Sequence, residues 1–150
     1  MSLRKQVFLH YKQQVDDKIH IFRDMIIDLS EDSLSDAKSS AGDKHQTSLS
    51  MMHLEQEKLN RKLAEFIEQK NILDKIDISI KTSKIVIGSL VQTNELLVFL
   101  STALPKIIIE NKTIFSISPQ SPLGKMLLGN EIGFEFDINA KQYKIINIFE

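Results

Sequence analysis

Two stretches of this sequence repeat large apolar residues at steps of three and four, and that spacing limits what the first half of the chain can become. Phe8, Tyr11, Val15, Ile19, Phe22, Ile26 and Leu29 form the first series, with Lys12, Asp16, Asp17, Arg23 and Asp24 between them. An α-helix gathers such positions on one face, so the series predicts an amphipathic helix with a single apolar stripe. The second series, Met52, Gln56, Leu59, Leu63, Phe66, Lys70 and Leu73, is a strict heptad stripe with polar residues at two of its positions. Polar residues inside a stripe fix register at some cost in stability, which favours one defined pairing over a loose bundle. Each helix is expected to span roughly 27 residues, about 40 Å at 1.5 Å per residue.

Between the two series lies Ser30 to Thr47, which has almost no large apolar side chains and contains Gly42. Two stripe-bearing helices joined by such a connection should fold back as an antiparallel hairpin with this stretch at its tip. A tip carrying Glu31, Asp32, Asp36 and Asp43 is a candidate working end. Two helices alone leave apolar surface uncovered, so the base of the hairpin needs the rest of the chain or a partner. A monomer is expected, with a homodimer through the same stripes as the alternative.

Composition excludes several classes of function. Nineteen basic and 20 acidic side chains give a net charge of -1, which supplies no long-range field toward nucleic acid or an anionic membrane. The absence of cysteine removes disulfides, thiolate zinc sites and a cysteine nucleophile. The N-terminus leads into a charged amphipathic pattern and not an apolar signal core, and the apolar run Ile85 to Leu100 is interrupted by Gln92, Asn94 and Glu95. A cytoplasmic protein without membrane contact is expected. His10, His20, His45 and His53 lack zinc-ligand spacing, and there is no phosphate-binding glycine loop or nucleophile elbow.

Near Ile76 to Ser83 the composition shifts from Lys, Glu and Gln to β-branched residues, which places a domain boundary between residues 76 and 77. Strands are expected over Ile85–Val91, Leu96–Ser101, Ile107–Glu110, Thr113–Ser118, Gly133–Ile138 and Tyr143–Phe149. Asn94-Glu95, Glu110-Asn111-Lys112 and Asn139-Ala140-Lys141 are expected as hairpin turns, because asparagine tolerates positive φ. Pro105 is expected to end a loop and not to sit within a strand. The fold class is therefore α+β: a helical hairpin over 1–76 with its tip near 30–47, then one antiparallel sheet over 77–150. In the stretch Ser121 to Gly129, Ser121 suits an N-cap, Pro122 the first helical position and Gly129 the left-handed residue beyond the last turn. Leu123, Met126 and Leu127 fall on one face, so a short helix should plug one end of the sheet core.

The run Ser118-Pro-Gln-Ser-Pro-Leu-Gly-Lys-Met-Leu-Leu-Gly-Asn-Glu-Ile-Gly-Phe-Glu-Phe136, followed by a final strand, resembles the C-terminal domain of the bacterial GreA/GreB transcript-cleavage factors. That resemblance runs from about Val86 to the end and includes a strand with a Gly-Ser pair, here Gly88-Ser89; over the first half it is one of architecture. Lys38-Ser-Ser-Ala-Gly-Asp-Lys44 is similar to the tip of a short, divergent Gre-like branch. The resemblance implies an FKBP-like sheet domain that docks on RNA polymerase, with Ser121, Pro122, Gly124, Lys125 and Gly129 as the partner-binding segment. It implies a hairpin tip inserted into the secondary channel, nucleic acid met only within the transcription complex, and no intrinsic cofactor. Asp43 and Asp36 become the tip acids that assist a magnesium ion held jointly with the polymerase, and the catalysis itself belongs to the polymerase. Laying Gly42-Asp43 on the family's Gly-Asp puts Gln46 where the cleavage factors carry glutamate, and an amide is a poorer magnesium ligand.

The residues alone also allow blander roles. Asp43 can cap the second helix, while Glu31 and Asp32 can simply solvate a loop. Lys81, Lys84, Lys106, Lys112, Lys125, Lys141 and Lys144 make either a solvated surface or a docking face. Two other functions fit the pattern: an FKBP-like chaperone or prolyl isomerase, and a coiled-coil scaffold that does not bind polymerase. The isomerase reading has no tryptophan and few aromatic residues from which to build a proline pocket.

Overall fold

A computed structural model describes the backbone over residues 1–39 and 43–150, with side chains over 1–32 and 49–150. Helix α1 spans Leu3–Ser39 and α2 spans Asp43–Asp74. Ser2 opens α1, its Oγ accepting from the Lys5 N–H at 3.2 Å. At 37 and 32 residues the helices are longer than the stripes predict, about 55 and 48 Å. Much of the polar stretch expected as a connection is helical. Its Ser, Asp, Glu, Lys, Ala and Leu residues are all tolerated within helices, so polarity alone did not mark a break.

The chain divides into two compact units, Gln13–Lys70 and a second built from Met1–Lys12 together with Asn71–Glu150. This division differs from a cut at 76/77, because the first turns of α1 and the last turn of α2 belong with the sheet. Within the helical unit, the Phe22 and Phe66 rings meet edge to face at 5.0 Å, and Gln56 Nε2 donates to Ser30 Oγ at 2.9 Å. Later residues of α1 thus meet earlier residues of α2, as in an antiparallel pair. Val15, Ile19 and Leu59 are buried in it. Gln56, one of the two polar stripe residues, makes this directional contact across the pair.

In the sheet unit six strands follow: β1 Leu90–Thr93, β2 Leu97–Leu100, β3 Leu104–Ile109, β4 Lys112–Ile117, β5 Glu135–Ile138 and β6 Lys141–Phe149. Helix α3, Pro122–Leu127, lies between β4 and β5 in sequence. The strand order is β3-β4-β2-β1-β6-β5. The sheet is mixed and not wholly antiparallel, because β2 and β4 run parallel with Leu97 opposite Ile114. Strand β3 supplies the crossover between them: it pairs antiparallel with β4 through the tight Glu110-Asn111 turn, and that hairpin docks with β4 against β2. Local turn chemistry specifies the hairpin but not which strand it will join.

Glu110 and Asn111 have φ of 53° and 62°, and Asn139 and Ala140 have 52° and 66°, so two of the three predicted turns are two-residue connections with left-handed backbone, whereas the third, at Asn94-Glu95, joins β1 to β2 through residues 94–96 without a positive φ. Two further expectations are corrected. Ile85–Ser89 is not strand, since Gly88 at φ 99° reverses the chain and the Gly88-Ser89 pair lies in a turn just before β1. Pro105 lies inside β3, an edge strand whose register shifts between Leu104 and Ile107, and such positions tolerate a missing N–H. Residues 141–144 of β6 pair with β5 while 145–149 pair with β1, so this one strand joins two stretches of sheet.

Alternation along β1 and β2 sends side chains to both faces, and both are covered. On one face Val91, Val98, Leu100 and Ile145 form a core with Ile85, Leu127 and Phe136. On the other face Tyr11 stacks on Phe99 at 5.9 Å and its hydroxyl donates to the Pro105 carbonyl at 2.9 Å. The first turns of α1 therefore act as a layer of the sheet unit. Burial pushes the Tyr11 phenol pKa up to about 12.

Candidate functional site

Helix α3 is held by contacts that account for its sequence residue by residue. Ser121 is the N-cap as expected: its Oγ accepts from the Gly124 N–H at 3.1 Å and donates to the Ser118 carbonyl at 2.6 Å. Pro122 occupies the first helical position. Gly129 has φ 82°, the left-handed conformation expected beyond the last turn. A Cβ on Gly124 would stand 2.0 Å from the Ser118 carbonyl oxygen, so only glycine lets the helix approach the preceding loop. Leu127 enters the core, with Leu123 and Met126 packed against it. Ser121, Gly124 and Gly129 thus hold the segment's backbone, while Lys125 and Pro122 are exposed.

The end of α3 is paired with the turn before β1. The Ile85 N–H donates to the Asn130 carbonyl at 2.9 Å and the Gly129 N–H donates to the Ile85 carbonyl at 2.8 Å. Asn130 Nδ2 also donates to the Met126 carbonyl at 2.6 Å, which covers one of the helix's terminal acceptors. Around this pair, within a few residues in sequence, stand Val86, Ile87, Leu128, Ile132 and Phe134, all exposed. A fixed backbone with several exposed aliphatic and aromatic side chains is suited to protein contact. The lysines of the unit are less available than their number suggests, since Lys81 pairs with Glu150, Lys141 with Glu95 and Lys144 with Glu135.

Arg4 is a structural residue that sequence reading missed. It is buried, and its Nε donates to the Gly88 carbonyl at 2.8 Å while Nη1 donates to the Ile80 carbonyl at 2.8 Å and to the Ile78 carbonyl at 3.3 Å. Burial lowers its pKa, partly offset by the Asp77 charge. Asp77 is in turn held below the ordinary carboxylate range, chiefly by hydrogen bonds from the Ser79 hydroxyl and N–H. No local signal marks Arg4, because its partners lie 74 to 84 residues away.

Asp36 falls in the last turns of α1 and Asp43 is the first residue of α2, but their side chains and that of Gln46 lie outside the described residues. Glu31 and Asp32 are exposed near the end of the described part of α1. Among the described residues no three His, Asp or Glu side chains come together as a metal site, and no helix is long and apolar enough to cross a membrane.

No protein-family model matches the chain, and no curated protein matches it. Among solved structures, one described as the structure of the transcription factor Gfh1 is 18% identical, over 91% of this chain and 92% of that one, with a TM-score of 0.35. A superposition at that score fixes neither fold nor activity. The chain's own geometry defines an α+β protein: a pair of long helices, a mixed six-stranded sheet and one short helix whose exposed end is held by backbone pairing.

Proposed function

We propose that this chain is a regulator of transcription that binds RNA polymerase through the α3 segment of its sheet unit and inserts the helical tip into the secondary channel. The observation that carries the reading is the fit between the α3 sequence and its geometry. Each residue of the Ser-Pro-x-Gly-Lys-x-Leu-Leu-Gly run that resembles the Gre factors has a specific place: a cap, a first-turn proline, a glycine against a carbonyl, a left-handed end and an exposed lysine. The chain is not itself an enzyme. Asp43 and Asp36 would offer oxygen ligands to a magnesium ion shared with the polymerase, and Gln46 in place of glutamate weakens that offer. Occupancy of the channel, with or without stimulated cleavage of backtracked RNA, is its action, in the cytoplasm and as a monomer.

The test is to add purified protein to backtracked polymerase complexes and to measure both binding and shortening of the RNA 3′ end. Lys125→Glu should weaken binding without loss of folding. Gln46→Glu should increase cleavage by supplying a second carboxylate, and Asp43→Asn should abolish what cleavage exists. Unchanged cleavage by Gln46→Glu, in a protein that still competes with an authentic Gre factor, leaves channel occupancy as the whole function. Failure to compete at all overturns polymerase binding.

A further inference from the structure

Burying a guanidinium is costly unless fixed dipoles replace its water, and Arg4 recovers that cost from main-chain carbonyls spread over residues 78 to 88. The carbonyl of Gly88 belongs to a tight turn closed by the Ser89 N–H on the Val86 carbonyl at 3.0 Å and by the Val86 N–H on Ser89 Oγ at 2.9 Å. Ile76 Cγ2 fills the space where a Gly88 Cβ would be, 2.6 Å away, so the turn is also backed by the segment just beyond α2. One residue before the turn, Ile85 makes its two bonds to Gly129 and Asn130. A continuous run of hydrogen bonds and short covalent steps therefore leads from the first turn of α1 to the exposed end of α3.

We propose that Arg4 is a positioning residue for the α3 segment, acting through the Ile85–Ser89 turn, so that the grip of Arg4 on residues 78–88 and the docking of a partner on α3 are coupled. The functional half of this inference rests on the reading of α3 as the partner-facing segment. By linkage, a partner seated on α3 tightens the Arg4 turn, and loosening that turn weakens docking by the same factor. Arginine is needed because its planar fork presents Nε and Nη donors to separate carbonyls at once, which a lysine ammonium on a flexible stem does not reproduce.

Amide hydrogen exchange on the full chain reads this coupling without any partner. Arg4→Met should lower protection of Ile85, Gly88 and Gly129 together by about tenfold or more, while the β3–β4 hairpin keeps its protection. Loss at Gly88 with Gly129 unchanged overturns the coupling. If Arg4→Met loosens every amide alike, Arg4→Lys decides on the same positions: a smaller joint loss supports the coupling, and no loss or a uniform one overturns it. Polymerase binding by the same variants tests the functional half. If wild type binds, Arg4→Lys should bind more weakly, and equal affinity overturns the link to docking. If the joint loss of protection is seen but wild type does not bind polymerase, the internal coupling stands and the docking reading falls.

Discussion

The helical unit and the sheet unit reach order by different means. Of the twenty buried apolar residues among those described, seventeen belong to the sheet unit and only Val15, Ile19 and Leu59 to the helical one. Two helices side by side bury one stripe each, whereas a sheet covered on both faces buries alternate residues in both directions. The helical unit also exposes Ile21, Met25, Ile27, Met51 and Leu54. Directional contacts such as Phe22 on Phe66 and Gln56 on Ser30 add to that limited burial in specifying its pairing. Buried apolar contact is therefore concentrated in the unit that contains α3.

The largest expected effect sets the two cores against each other. Leu127→Ala should cost about 4 kcal/mol and Leu59→Ala about 2 kcal/mol, since Leu127 is 0% exposed in a core covered on several sides and Leu59 keeps 8% exposure between two helices. Urea unfolding of both variants checks this, and equal losses would break the contrast. Gly124→Ala should destabilise by about 3 kcal/mol, because the new methyl meets a backbone oxygen that has no rotamer to yield. A wild-type melting temperature would mean that the Ser118 loop moves freely. Smaller and similar in both units, Ser30→Ala and Ser121→Ala should each cost about 1 kcal/mol, the first by removing the Gln56 acceptor and the second by removing a helix cap. A difference of several-fold between them would show that polar contacts, too, are worth more in one unit than in the other.

The smallest effect is absent under ordinary conditions and appears only in alkali. The Tyr11 phenol is raised from 10.0 to about 12 by burial, so the folded state keeps a proton that the unfolded chain releases. Its contribution is complete below pH 10 and is lost as pH rises toward about 12. Stability should fall over that window, and Tyr11→Phe should remove this part of the slope. An unchanged slope would show that Tyr11 is solvated in the folded state.

Features set by neighbouring residues were legible in the sequence. The two stripes, the Asn-containing turns, the Ser121 cap, the Gly129 end and the inward face of α3 all depend on residues within a few positions of each other. Features that depend on distant partners were not. The parallel β2–β4 pair and the three carbonyls around Arg4 have no local signature. Nor does Gly124, whose need for a missing Cβ appears only once the Ser118 carbonyl is in place. The polar tip was read too broadly because polar residues that helices tolerate and residues that break helices look alike until a glycine or proline intervenes. Of the exposed apolar residues near Ile85 and Gly129, Val86, Ile87 and Phe134 were hidden in segments expected to be ordinary strand.

The sheet unit is assembled from both ends of the chain, and this bears on the order in which it can form. Arg4 is made early, but the carbonyls it grips come 74 to 84 residues later, and β6 is flanked by β1 and β5 although it is the last strand in sequence. Contacts so far apart are slow to find because a long loop must first be closed. Here the intervening segment Gln13–Lys70 closes itself: once α1 and α2 zip together, Lys12 and Asp74 are brought to 3.3 Å, and the sheet unit meets its own N-terminal turns already near at hand. If the helices serve as a folding clamp for the unit they interrupt, adding or removing matched heptads from both should leave its refolding rate unchanged.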